Sequence, residues 1–191
     1  MKRFLALALA LVAAALFAPS AHAAGPWRAQ VVDGESGQPL DGVVVVFVFI
    51  KYHSSFAGSA GAEYYGADEA ATGPDGRFEI PARMLWNPIR IFTEVRVEIT
   101  VFKPGYGRYR IRRTPQQQEE WRERWDWWRI LERDDMIVEL PPLKTREERL
   151  KFYDGLWIDH LVPRERTPRF LDAEARERAY LGLPPRHKGL Q

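Results

Sequence analysis

Residues 43–50 read VVVVFVFI, a hydrophobic run without a polar position. A strand with one face in water alternates hydrophobic and polar side chains, whereas a strand buried on both faces does not. We therefore predict a strand over residues 43–52 that other parts of the chain cover on both faces. The residues that follow, 54–61, are mostly small, and they predict a flexible loop.

Other segments alternate, as strands with one buried face do. In VRVEITVF, residues 95–102, every second position is hydrophobic and is predicted to face inward. RYRIRR, residues 108–113, predicts a strand with Tyr109 and Ile111 inward. Its outward-facing residues are Arg108, Arg110 and Arg112. Shorter strands are predicted at residues 27–33, 77–81 and 136–140.

The hydrophobic period changes at Thr114. TPQQ, residues 114–117, combines an N-cap threonine, a proline at the first helical position and a glutamine at the third. This combination is a capping box and indicates the start of a helix. We expect the helix to include about residues 115–132 and to be inserted between two strands.

The predicted helix carries four of the chain's seven tryptophans, all within residues 121–128. At helical spacing Trp121, Trp125 and Trp128 form one stripe, which we interpret as a lid over the outer face of the 43–52 strand. Two alternatives stay open. Trp127 with Arg124 would suit a platform for a sugar or an aromatic ligand. Binding to a membrane surface is disfavoured by the carboxylates of the segment.

Two further helices are predicted near the end of the chain. TREE, residues 145–148, is a second capping box and starts a helix that continues to about Asp154. The other begins at about Asp172 and ends at Gly182, before two prolines. Residues 144–191 are thus predicted to be a helical C-terminal extension and tail.

The first 23 residues have the form of a secretory signal peptide. A basic start is followed by a hydrophobic run over residues 4–18. Ala21-His22-Ala23 follows and has the small residues that a signal peptidase recognises before its cleavage site. The run is short for a spanning helix, although a retained anchor is the alternative. No second hydrophobic run of spanning length follows, so we expect no transmembrane segment after cleavage. These features predict a periplasmic or secreted protein.

Charge and cysteine content narrow the possible partners and the kind of fold. Removing Lys2 and Arg3 with the signal leaves 26 basic residues, equal to the 26 acidic ones. A formally neutral chain has no overall attraction for nucleic acid, so we predict no nucleic-acid partner. The chain has no cysteine, which excludes disulfides and a lipid-anchored cysteine, and its fold must depend on its core.

Four segments, taken in order, resemble the carboxypeptidase regulatory-like domain, a transthyretin-like β-sandwich. They are VVDGESGQPLDGVVVVF, ATGPDGRFEIP, VEITVFKPGYGRYRI and MIVELPPL. Glycines support the match, because Gly76 suits a left-handed turn position and Gly105 turns the chain between two strands. The resemblance covers about residues 29–140.

The resemblance implies a mainly β fold. We expect a single transthyretin-like or immunoglobulin-like Greek-key β-sandwich over residues 24–143, with an inserted helix and a helical C-terminal extension. Members of the family act mostly as accessory or interaction modules, so the resemblance implies little chemistry. The long loop after the second strand, the inserted helix and the tail depart from the family pattern and leave the function open.

Motifs for catalysis or metal binding are absent from the sequence. The histidines that follow the signal, His53, His160 and His187, do not have metal-binding spacing. We predict no catalytic residue, no metal and no cofactor. The enzyme alternative is a hydrolase with a site near His53 and the 54–66 loop.

The favoured function is an exported, non-catalytic binding or interaction module of the bacterial cell envelope. Its partner would be a protein, a small molecule or a carbohydrate. The candidate ligand-binding residues are Trp127, Arg124, Arg108, Arg110 and Arg112. The last three, together with Arg113, form a basic strip that suits an acidic partner. A further alternative is a structural envelope-assembly protein that grips a partner with its helical tail.

Overall fold

The computed structural model describes residues 20–55, 58–87, 93–120, 127–133, 136–156 and 161–185. The strands in these residues are β1 (Ser20–Ala24), β2 (Trp27–Asp33), β3 (Val44–Ser55), β4 (Gly58–Ala71), β5 (Arg77–Ile80), β6 (Arg83–Asn87), β7 (Thr93–Phe102), β8 (Arg110–Arg112) and β9 (Ile137–Leu140). The α-helices are α1 (Pro115–Glu120), α2 (Arg146–Asp154) and α3 (Pro168–Leu181). Two 3₁₀ segments are Trp127–Glu132 and Arg164–Arg166.

Two sheets form the body of the protein. One has the strand order β5-β2-β9-β8 and the other the order β4-β3-β7. Strands β2 and β9 are parallel, and the remaining pairs in both sheets are antiparallel. A separate ribbon pairs β1 with β6. The protein is mainly β, as the sequence predicted, and the predicted strands within β2, β3, β5, β7, β8 and β9 are all present.

The two sheets enclose one hydrophobic core. Strand β3 directs Val45, Phe47 and Phe49 into it, and each of these side chains is fully buried. The indole of Trp27 on β2 packs against Phe47 with 4.9 Å between ring centroids. The alternation predicted for β7 is confirmed, because Val97 and Val101 are buried here. The inner core therefore follows directly from strand alternation.

The outer face of β3 packs against α3. Val46, Val48 and Ile50 form a second buried cluster with Phe170 and other residues. The prediction that this strand is covered on both faces is confirmed. The described cover of this face is α3. The stripe of Trp121, Trp125 and Trp128, which we predicted to be the cover, lies outside the residues and side chains that the structure describes, so its part in covering the face stays a prediction.

The described end of the tryptophan-rich segment contributes to the inner core. Its 3₁₀ part, Trp127–Glu132, inserts Ile130 and Leu131 into the inner core beside Trp27. The start of the predicted helix is correct, since Thr114 and Gln117 exchange the two hydrogen bonds of a capping box. The prediction of a continuous α-helix to residue 132 is wrong, because residues 127–132 form a 3₁₀ helix. Residues 121–126 lie outside the described parts of the chain.

The loop predicted at residues 54–61, which the hydrolase alternative extends to residue 66, is strand wherever the structure describes it, and residues 56–57 lie outside the description. Strands β3 and β4 form a long antiparallel hairpin in which His53 pairs with Gly61 and Ile50 pairs with Tyr64. Small residues have low strand propensity, but cross-strand hydrogen bonding to a well-formed neighbour overrides that preference. Register shifts after Phe49 and His53 absorb the irregular positions.

Helix α3 is held at its first turn by a residue from β4. The carboxylate of Glu69 accepts hydrogen bonds from the backbone N–H groups of Arg169, at 2.8 Å, and Phe170, at 3.2 Å. The side chain of Thr167, which precedes the helix, makes no capping hydrogen bond. A carboxylate also interacts favourably with a helix N-terminus. We predicted that this helix begins at about Asp172, but it begins at Pro168. The cap explains the earlier start.

Buried polar residues fix the two C-terminal helices to each other. The capping box at Thr145 and Glu148 is confirmed at the start of α2. The Arg149 Nε on α2 donates to the Glu177 carboxylate on α3 at 2.8 Å, and Glu177 also accepts from the backbone N–H of Gly105 at 3.0 Å. Because Glu177 is buried, removing either partner would leave a desolvated charge. The extension is therefore part of the folded core.

Substituting Phe170 tests the role of α3 as a cover for β3. We expect Phe170→Ala to lower the free energy of unfolding by about 3–5 kcal/mol, because it opens a cavity against the outer face of the strand. Arg176→Ala, on the exposed face of the same helix, should change it by less than about 0.5 kcal/mol. Urea denaturation followed by circular dichroism measures both, and equal effects would contradict the packing.

The Glu69 cap is tested by a second pair of variants. Glu69→Ala removes an acceptor shared by two helix N–H groups and should lower the free energy of unfolding by about 1–2 kcal/mol. Glu165→Ala, at an exposed position just before α3, is the control and should be close to neutral. Thermal unfolding of the three proteins distinguishes them. A Glu69→Ala protein as stable as the wild type would show that the cap contributes nothing.

Candidate functional site

One cleft contains part of the predicted basic strip. It lies between β7 and β8, which are edge strands of the two sheets, and the C-terminal end of α2. Its volume is about 480 Å³. The lining residues are Ile99, Thr100, Val101, Arg108, Tyr109, Ile111, Arg113, Phe152, Gly155 and Leu156. We call it the arginine cleft.

A turn at residues 103–107 brings the two edge strands together. Gly105 has φ of 84°, which glycine adopts without strain, and its carbonyl accepts from the N–H of Leu143 at 2.8 Å. The N–H of Gly107 donates to the carbonyl of Pro141 at 2.8 Å. These bonds fix the chain as it passes from one sheet to the other. The turn predicted from Gly105 and Tyr106 is confirmed.

Alternation along β8 then places the side chains of the cleft. Tyr109 and Ile111 pack toward the inner core, and Arg108, Arg110 and Arg112 are exposed, as predicted. Arg113 continues the inward series two positions after Ile111, and it also lines the cleft. A cation thus occupies a position where the pattern calls for a hydrophobic residue.

Among the lining residues that the structure describes, the cleft has two cations and no carboxylate. Arg108 and Arg113 both line it, and neither forms an ion pair within the parts of the chain that the structure describes. The Nε of Arg113 is buried and has no hydrogen-bond partner there. Burial raises the pKa of the Tyr109 phenol to about 12, against the opposing effect of the two arginines. The guanidinium groups of Arg108 and Arg113 could therefore donate charge-assisted hydrogen bonds to an anion in the cleft.

The other two arginines of the predicted strip lie outside the cleft. Arg112 forms an ion pair with Glu139 on β9 at 2.6 Å. Arg110 is exposed and pairs in register with the same glutamate. Because Glu139 neutralises this end of the strip, the structure divides the predicted site. Arg108 belongs to the cleft, whereas Arg110 and Arg112 belong to the outer surface of the sheet.

The aromatic part of the predicted site is not brought into the cleft by any described contact. Trp127 begins the 3₁₀ segment, but its side chain and the whole of Arg124 lie outside what the structure describes. The neighbouring Ile130 and Leu131 are buried in the inner core. The platform of Trp127 and Arg124 stays a prediction.

Of the described lining residues, Arg108 and Arg113 belong to the predicted basic strip, and the others were not among the candidates from the sequence. Arg113 carried a signal, because it is the polar residue at an inward position of an alternating strand. Phe152 and Leu156 come from α2 and the residues after it, and nothing local in the sequence indicates that they meet β8. Only the docking of the helix on the edge of the sheets brings them there.

A larger groove lies at the opposite edge of the two sheets. It measures about 640 Å³ and is bordered by Arg28, Arg77 and Arg169. Asp75 and Glu79 also line it, and Glu79 binds the Arg28 guanidinium at 3.0 Å. Because cations and carboxylates are mixed, this groove has less attraction for an anion than the arginine cleft, despite its greater size.

The region proposed for a hydrolase has an ion cluster. The Nε2 of His53 lies 3.4 Å from the Glu63 carboxylate, which Lys51 also contacts at 3.1 Å. The hydrogen bond from Lys51 is the main cause of the lowered pKa of Glu63. A hydrolase needs a nucleophile within reach of the histidine. The described residues place none there, and the side chains of Ser54 and Ser55 are outside them.

Carboxylates near the first turn have a structural role. Asp33 accepts hydrogen bonds from the backbone N–H groups of Glu35 and Ser36, each at 2.8 Å, and from the Tyr106 hydroxyl at 3.1 Å. The bond from the Ser36 backbone is the main cause of the lowered pKa of Asp33. In the parts of the chain that are described, no three histidine, cysteine or carboxylate side chains group as metal ligands would.

Comparisons with known proteins add no functional information. No protein-family model, curated protein or solved structure matches this chain. Within the described residues, no helix has both the length and the hydrophobic composition that crossing a bilayer requires. Function is therefore inferred from the chemistry of the cleft.

The raised pKa of Tyr109 predicts a distinct step in an alkaline titration. An unfolded tyrosine ionises near pH 10, so the stability gained by keeping Tyr109 neutral and buried is present below about pH 10. It is lost as the pH rises toward about 12. Tyrosinate absorbance should show a last step near pH 12 that Tyr109→Phe lacks. If both proteins give the same curve, the phenol is in contact with solvent.

Proposed function

We propose that the chain is an exported, non-catalytic binding module of the bacterial cell envelope and that the arginine cleft is its binding surface. The single observation that carries the proposal is the pair of cleft arginines, Arg108 and Arg113, which have no carboxylate partner within the described structure. Arg113 is partly buried, and proteins rarely leave such a cation unpaired without a role, whereas Arg108 is exposed and lines the same cleft. A binding partner that supplies an anion accounts for both.

The class of module rests on the resemblance to the carboxypeptidase regulatory-like domain. Two packed sheets and the positions of the motif glycines support it. Gly76 has φ of 71°, and a Cβ there would collide with the carbonyl oxygen of Val31. The motif therefore needs glycine at that turn for a steric reason. A transthyretin-like Greek-key arrangement is part of the same proposal, as is export directed by residues 1–23.

A binding role is favoured over the hydrolase alternative by the chemistry of the two regions. The arginine cleft combines a concave shape with converging cations. The cluster of Lys51, His53 and Glu63 is half exposed or exposed and lies on a hairpin. Ion pairs of this kind are common on solvated surfaces.

The envelope-assembly alternative requires a free helical tail. In α3 the hydrophobic residues Phe170, Ala173 and Leu181 are buried within the protein. Deleting residues 145–191 would also expose Val46 and Val48, so the sheets would not remain folded by themselves. The hydrophobic face of α3 therefore packs on the protein's own sheet and is not available to grip a partner.

Partner capture tests the proposal. Immobilised protein is incubated with cell-envelope extract, and we expect a partner that the wild type retains and that Arg108→Ala/Arg113→Ala loses. Loss should be at least tenfold, because hydrogen bonds to charged groups contribute about 1.5–3 kcal/mol. Arg77→Ala, which removes an exposed arginine at the opposite edge, is the matched control and should retain the partner.

Two results would contradict the proposal. One is retention of the partner that does not differ between the wild type and the double variant. The other is turnover of a panel of ester and amide substrates that is lost in His53→Ala, which would support the hydrolase. Circular dichroism of each variant confirms that the comparison is between folded proteins.

A further inference from the structure

The geometry points to a free amphipathic carboxylate as the ligand of the arginine cleft, a molecule with one anionic head group on a hydrocarbon or aryl body. This inference rests on the proposed function, since it names the ligand class of the same site. Its basis is the combination of a hydrophobic lining with two arginines that form no ion pair among the described residues.

The head group is specified by Arg113. Its Nε is buried without a hydrogen-bond partner in the described structure, and its side chain extends the inward row of Tyr109 and Ile111. Leaving a desolvated guanidinium N–H unsatisfied is costly. A carboxylate accepts from a guanidinium in a planar, paired geometry, and Arg108 lines the same cleft. A singly charged anion therefore suits the guanidinium groups of Arg108 and Arg113 better than a neutral molecule does.

The body of the ligand is specified by the remaining lining. Ile99, Ile111, Phe152 and Leu156 present hydrocarbon to the cleft, and its uncharged polar side chains are Thr100 and Tyr109. Sugars need several converging hydrogen-bonding groups of both kinds, donors and acceptors. The cleft therefore favours an aliphatic or aromatic body over a carbohydrate.

Size and surroundings favour a small molecule over a macromolecule. The volume of about 480 Å³ lies within the range of about 300–1,000 Å³ that is typical of small-molecule sites. Strand β8 has three residues, so it offers little edge for an added peptide strand. Of the described residues, the exposed large hydrophobic side chains are Met84 and Tyr180, and neither lines the cleft. The described surface around the cleft therefore does not show the hydrophobic rim that insertion into a bilayer requires.

Titration calorimetry with decanoate, below the concentration at which it forms micelles, tests the inference. We expect saturable binding of one decanoate per protein. Hexanoate should bind less tightly by about fourfold for each CH₂ removed. Decanol, which has the same chain without the charge, should bind at least about tenfold more weakly.

Variants locate the site. Arg113→Gln should weaken decanoate binding at least about tenfold, and Arg113→Lys should restore part of the affinity because it restores the charge without the planar fork. Arg77→Gln, at the opposite groove, should bind as the wild type does. Unchanged thermal unfolding of the variants shows that any loss is local.

The remaining outcomes overturn the ligand class. Decanoate that binds Arg113→Gln as well as it binds the wild type has found another hydrophobic surface. Binding of an acidic peptide such as Ac-DVEVDVE-NH₂, or of vesicles rich in phosphatidylglycerol, without binding of decanoate would replace the small molecule with a macromolecular partner and leave the proposed function standing. If none of the three binds, the cleft is not the binding surface, and both proposals fail.

Discussion

Strand β3 is hydrophobic from Val44 to Ile50 and therefore has two faces that must be kept from water. Full burial of one such side chain contributes about 1.5–3 kcal/mol, so either face left open would forfeit a large part of the stability of a domain. The second sheet covers one face through Trp27 and its neighbours, and α3 covers the other. Most of the architecture can be understood as the solution to this one constraint, in a chain without disulfides.

The same constraint explains where a cleft can form. Burying β3 in the middle of its sheet leaves β7 at one edge, and the second sheet ends nearby in β8. Helix α2 is tied to α3 through Arg149 and Glu177, so its C-terminal end is brought against this edge. The ion pair between Arg149 and Glu177 holds α2 against α3, the helix that covers β3. The same ion pair therefore also positions Phe152 and Leu156 in the arginine cleft.

Local rules were sufficient for much of the fold. Alternation identified the strands and the inward positions of Tyr109 and Ile111, and capping boxes identified the starts of α1 and α2. Contacts distant in sequence were not accessible to such rules. Glu69 caps a helix 100 positions away. Strand pairing overrides the weak propensity of the small residues in β4, and β3 is covered by a helix that is distant in sequence. For the cleft, alternation located Arg108 and placed a cation at Arg113, while the contribution of α2 required tertiary packing.

The position of α3 in the chain has a consequence for biosynthesis. Glu69 and Phe170 are separated by 101 positions, so β3 and β4 leave the ribosome long before the helix that completes their outer side exists. Domains generally fold as units during synthesis. Here the outer side of β3 is closed by α3, so the nascent chain must expose a row of valines until that helix has been made. During this interval the exposed valines are accessible to chaperones.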